Sequence, residues 1–156
     1  MQLTPPAEDA AALLARMCEE PWPTTEAERL PYFDHLGLRD ASELEAIRDH
    51  ADSSSRPFTT SLAGEVGGTC SIYCDQLIGL ALFCYSEPIA NGARAREGFA
   101  GIRDHLSRVL GATVEEWGPA NEPACLWRSG PLHLDMYCFQ RGTSSVMVGA
   151  GPTRES

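Results

Sequence analysis

The chain contains no lysine: all twelve of its basic residues are arginine, a bias that points to GC-rich coding and carries no mechanism. Long hydrophobic runs are missing too. The longest, Leu77 to Tyr85, has about half the ~20 residues that a membrane-spanning helix needs. Met1 to Ala10 hold neither a basic residue nor the apolar run of a secretory signal. These absences lead to the expectation of a cytoplasmic protein with no membrane partner. Cysteine is sparse: six residues, at 18, 70, 74, 84, 125 and 138, in a chain of 156. That is too thin for a disulfide-stapled mini-domain, so they read as free thiols. Clustered positive charge is absent as well, and a net charge of −10 argues against nucleic acid, whose phosphates require it.

What is present suits one domain over 1–156, with an apolar share of 43% that is enough to close a single core. The charge is uneven. Residues 1–55 hold twelve acids against four arginines, residues 56–156 ten against eight, so the negative field belongs to the N-terminal part. That part reads as helical. A first helix is expected after Thr4, with Leu13, Leu14 and Met17 on one stripe and Pro21 as its stop. Thr25 and Glu28 have capping-box spacing for a second, interrupted near Pro31 and closed around Gly37. Ser42 and Glu45 repeat that spacing for a short third helix, and Asp52 to Pro57 reads as a loop. From Phe58 the period changes to two, with turn residues near Gly64 to Gly68, Asp75, Gly130 and Gly142. One helix, over 91–110, lies among these strands and carries Ala95, Phe99, Ile102 and Leu106 on a stripe. Gly98 and Gly101 inside it call for tight packing to offset their poor helix propensity. The expected fold is α+β: N-terminal helices, then an antiparallel sheet of about five to seven strands interrupted by one long packed helix.

Catalytic chemistry finds little support in the residues. Cys70 and Cys74 invite a metal or thiol reading, but structural zinc sites show two close pairs and this chain has one. Strand parity places Cys70 and Cys74 beside Ile72, Cys84 beyond Ile78, Leu80 and Leu82, and Cys138 beyond Leu132, Leu134 and Met136. Each sulfur then faces a core, where a thiol is a small inert hydrophobe. The four histidines, at 35, 50, 105 and 133, sit in no Gly-x-Ser-x-Gly or His-Glu-x-x-His setting, and no phosphate loop is present. His133 and Asp135 share a strand face, which suits an exposed polar pair. No residue is assigned a catalytic role, and neither a metal nor a cofactor is expected.

The same parity gathers Ser71, Tyr73, Asp75, Ala81, Phe83, Tyr85, Trp127, His133, Asp135, Tyr137 and Phe139 on the opposite side. Rings with polar tips are enriched at interfaces. That side is either a second core layer under the N-terminal helices or a surface for a partner or a second copy of the chain. The candidate partner-binding residues are Tyr73, Tyr85, Trp127, His133, Asp135 and Tyr137, together with Glu43, Glu45 and Asp49 on the wet side of the third helix, where a basic partner would be steered.

The stretches Trp22-Pro23-Thr24, Asp34-His35-Leu36-Gly37-Leu38 and Trp127-Arg128-Ser129-Gly130-Pro131, followed by Leu132-His133-Leu134-Asp135, resemble uncharacterised actinobacterial proteins of the immunity type. The resemblance implies a small intracellular protein that neutralises a toxin domain. The element order is also similar to secretion-chaperone-like domains, which dimerise around a client segment. The expected function is non-catalytic protein binding, first as an immunity-type inhibitor and in the alternative as a chaperone-like dimer or a thiol- or metal-dependent enzyme.

Overall fold

The computed structural model describes residues 2–41, 47–50, 53–64 and 66–153. Helix α1 spans Ala7–Glu19, with Glu8 and Asp9 in its first turn, where the helix dipole favours acids. Helix α2 spans Glu26–Leu36. Thr25 caps it by accepting from the Glu28 amide at 3.2 Å, Glu28 in turn accepts from the Thr24 amide at 3.1 Å, and Gly37 closes it in the left-handed region at φ 70°. The helix runs through Pro31 without the expected interruption.

The strands are β1 (Arg39–Asp40), β2 (Ile47–His50), β3 (Ser53–Thr59), β4 (Gly67–Tyr73) and β5 (Gln76–Glu87), then, after helix α3 (Ala93–Leu110), β6 (Glu115–Trp117), β7 (Ala124–Ser129), β8 (Leu132–Phe139) and β9 (Ser144–Pro152). They form one antiparallel sheet in the order β1-β3-β4-β5-β9-β8-β7-β6, with β2 also paired to β3. The fold is thus α+β as expected, but the sheet has nine strands among the described residues rather than five to seven.

The excess comes from the segment read as helix and loop. Ile47–His50 is a strand, not part of a third helix, and Ser53–Thr59 is a strand, not a loop. Pairing holds both strands: β3 lies between β4 on one side and the short β1 and β2 on the other. Pro57, which lacks an N–H, falls in the gap between β1, paired at Phe58 and Thr59, and β2, paired at Ser53 to Ser55. Asp49 therefore stands on a strand, and Glu43 and Glu45 lie outside the described residues.

Two meanders, β3-β4-β5 and β6-β7-β8-β9, are joined through β5 and β9. Helix α3 carries the chain from the middle of the sheet to its β6 edge, and its 18 residues give it a length of about 27 Å. All three helices lie on one side. Phe33 of α2 packs edge-on to Phe58 of β3 at 5.7 Å, and a Cβ at Gly98 of α3 would run into the Tyr85 ring of β5. A Cβ at Gly101 would come within 2.7 Å of Ala7 of α1. The expected close approach of that helix to the sheet is therefore found at Gly98, whereas Gly101 packs against α1. The buried side chains form one continuous cluster, in which Leu14 and Met17 of α1 and Ile102 and Leu106 of α3 meet Leu80, Leu82, Leu134, Met136, Val146 and Val148 of the sheet.

Candidate functional site: the uncovered face of the sheet

Strand registers show what occupies the side that the helices leave bare. One row across it, read through the paired residues, is Trp117, Ala124, Tyr137, Met147, Phe83 and Gly67. The next row is Leu126, Asp135, Gly149, Ala81 and Thr69, and the one beyond is Arg128, His133 and Gly151 on β7, β8 and β9. Two aromatics of the first row, and one beyond it, are in contact. Trp117 meets Tyr137 edge-on with centroids 5.8 Å apart, and Tyr137 stacks on Phe139 at 5.9 Å and 9°. Tyr73 is 52% exposed, Phe139 43%, Trp117 41% and Phe83 39%, so the expected aromatic face exists and, among the described residues, no helix covers it.

Its membership differs from the expectation at two of the candidate residues. Trp127 is fully buried on the helix side, where its indole N–H points at Ser107 Oγ of α3 at 3.4 Å. It pairs with Leu134 and shares a face with the buried Cys125, so its parity is that of the core. Tyr85 is also buried. A bulge between Cys84 and Glu87, with Tyr85 at φ 57°, turns its ring inward, and its hydroxyl donates to the Pro5 carbonyl at 2.8 Å. Ile78, expected in the core, is the extra residue of a second bulge and is exposed.

His133, Asp135 and Tyr137 are brought together along β8 on the open face, and Tyr73 points to the same face but stands apart from them, at the end of β4 three strands away. Asp135 lies over β9, where a Cβ at Gly149 would sit 2.5 Å from its Oδ1. Partial burial and the Asp135 carboxylate both push the Tyr137 phenol above its ordinary range. His133 and Asp135 have Arg128, Leu126, Gly151 and Gly149 as cross-strand neighbours, none of which supplies a nucleophile. Trp117 and Met147 were missed in the sequence. Trp117 ends a strand of three residues, too short to show alternation, whereas Met147 was legible from the inward Val146 and Val148 on either side.

Charge separates this face from the rest of the molecule. Among outward positions of β1 and β3 to β9, the charged side chains are Arg39, Glu115, Arg128 and Asp135, two of each sign, on a chain whose net charge is −10. Parity puts the other strand charges on the helix side. There Arg29, 1% exposed, is gripped by Glu26 at 2.7 and 2.8 Å and by Asp40 at 2.8 and 3.0 Å, and Arg56 reaches Glu26 at 2.9 Å. The Arg29 hydrogen bonds hold the Glu26 carboxyl below its ordinary pKa.

The cysteines disperse. Cys70, Cys84, Cys125 and Cys138 are buried, and Cys18 is half-buried. Burial pushes the Cys84 and Cys125 thiols up to about 12. Cys74 does not share the core position of Cys70. It occupies the two-residue turn between β4 and β5 with Asp75, both at positive φ (50° and 61°), and is exposed. Among the described residues no group of three or more His, Cys, Asp or Glu side chains is placed to hold a metal ion. A shallow groove of about 370 Å³ beside Trp22, Tyr32 and Pro31 has the polar ends of its two aromatic rings engaged elsewhere. The Trp22 N–H donates to the Leu77 carbonyl and the Tyr32 hydroxyl to that of Met17, each at 2.9 Å.

Compared with known protein families, with curated proteins and with solved structures, the chain matches none of them.

Proposed function

We propose that this protein is a non-catalytic, intracellular protein-binding domain, an immunity-type inhibitor that docks a toxin domain on the uncovered face of its sheet. One observation carries the reading: the described helices all cover the same side of the sheet, and the other side displays Trp117, Tyr137, Phe139, Phe83 and Met147 around a charge-balanced surface. Contiguous exposed apolar area rimmed by polar residues marks an interaction surface, and aromatics supply the anchors of such surfaces. The acidic remainder of the molecule favours approach of a basic partner, because a net field steers encounter.

The test is co-expression with the product of the adjacent reading frame, read as growth. The native chain is expected to restore growth, and Phe83→Ala and Tyr137→Ala to lose protection about tenfold or more. Val109→Glu, on the helix side and already exposed, is expected to protect as the native chain does. An adjacent product that is harmless, or that remains toxic beside the native chain, overturns the inhibitor reading.

A further inference from the structure

We propose that the first occupant of the uncovered face is a second copy of this chain, packed sheet against sheet as an isologous dimer that a protein partner must displace. This rests on the reading of that face as a docking surface and adds what holds it before a partner arrives. The surface carries its own complement. The row Trp117, Tyr137, Met147, Phe83 is a ridge of large side chains. Beside it, about 7 Å along the strands, Ala81 and Thr69 form a floor of small ones, while the next position, Gly149, is covered by the Asp135 carboxylate of the same chain.

A two-fold axis lying in the interface and running across the strands between these rows sets each ridge over the other copy's floor. Such self-complementarity is what an isologous contact requires. The same operation brings Asp135, already paired with the Tyr137 phenol of its own chain, opposite the partner subunit's Tyr137, so that the carboxylate keeps a phenol partner when the face is covered.

Charge opposes a second copy least at this face. Two chains of −10 each repel, so they associate only where the repulsion is weakest. The uncovered face, with Arg39 and Arg128 balancing Glu115 and Asp135, is such a place. Its extent also suffices. Eight strands in a row at ~4.8 Å spacing and about five residues deep project on the order of 600 Å². The side chains standing on that area bring the accessible surface near the ~800 Å² per partner of a stable interface.

Sedimentation equilibrium of the full chain, from micromolar to several hundred micromolar, tests the proposal. A dimer is expected whose dissociation constant falls severalfold as salt is raised, because salt screens the repulsion between the acidic bodies and leaves the apolar contact intact. Phe83→Glu and Ser145→Glu, both outward, are expected to weaken it about tenfold or more while circular dichroism stays native. Val109→Glu on the helix side is expected to leave it unchanged. A native chain that stays monomeric throughout overturns the dimer, as does a dimer that loosens with salt or that survives both outward variants in folded form. A monomer that still protects cells, and ceases to with Phe83→Ala, overturns the dimer alone. Protection that is indifferent to Phe83 and Tyr137 overturns the docking surface beneath it.

Discussion

Trp127 is the largest of the fully buried side chains, and its place against α3 makes it a structural residue. Truncation to alanine removes an indole that Leu134 and Ser107 surround, with no exposed surface into which the site can relax. Trp127→Ala is therefore expected to cost about 3–5 kcal/mol, read from the shift of the urea midpoint at constant slope. A cost under 1 kcal/mol would contradict the burial. Arg29 is the polar counterpart. Its spacing from Glu26 is the ordinary one for a helical ion pair, and that much is legible in the sequence. Its burial is not, because Asp40 and the Phe33 ring, 4.7 Å beneath the guanidinium, complete the site from elsewhere. A charge so enclosed is kept by partners that only folding assembles.

Among the elements, α3 shows how a glycine with poor helix propensity is used. Gly98 lets the helix descend onto Tyr85 and keeps the Tyr85 hydroxyl bonded to Pro5. In an open helix Gly98→Ala would gain about 1 kcal/mol. Here the added methyl meets the ring, and overpacking of this kind costs ~1–3 kcal/mol. The expected outcome is a lower melting temperature, and a raised one would show that α3 stands further off the sheet. The helices α1 and α3 were legible from a stripe and a stop, and α2 from its capping box and the Gly37 stop. The segment from Arg39 to Thr59 was not. Its serines and arginines carry no hydrophobic period, and its strands exist because β4 offers an edge to pair with, a fact about a neighbour eight or more residues away.

At the scale of the whole molecule, thiol access reports which side of the sheet is closed. Iodoacetamide labelling of the native protein, followed by mass spectrometry, is expected to modify Cys74 first and Cys18 slowly. Cys70, Cys84, Cys125 and Cys138 are expected to react only on unfolding, since they are buried and their thiols are held protonated by that burial. Rapid labelling of Cys84 in the folded chain would contradict a sealed core. Amino-acid order by itself determined the α+β class, the three helices and the alternation that sorts Leu80, Leu82, Leu134 and Met136 from Phe83, His133, Asp135 and Tyr137, because period and capping are local properties of the chain. The candidate face was legible to the same degree, and Trp127 and Tyr85 were misplaced on it because a strand's phase and a bulge depend on the partner strand. Which face the helices take was not legible at all. Both sides hold enough apolar surface to form a core. The choice came from the seating of Gly98 on Tyr85, of Gly101 against Ala7 and of Phe33 on Phe58, contacts between elements far apart in the chain that no local pattern encodes.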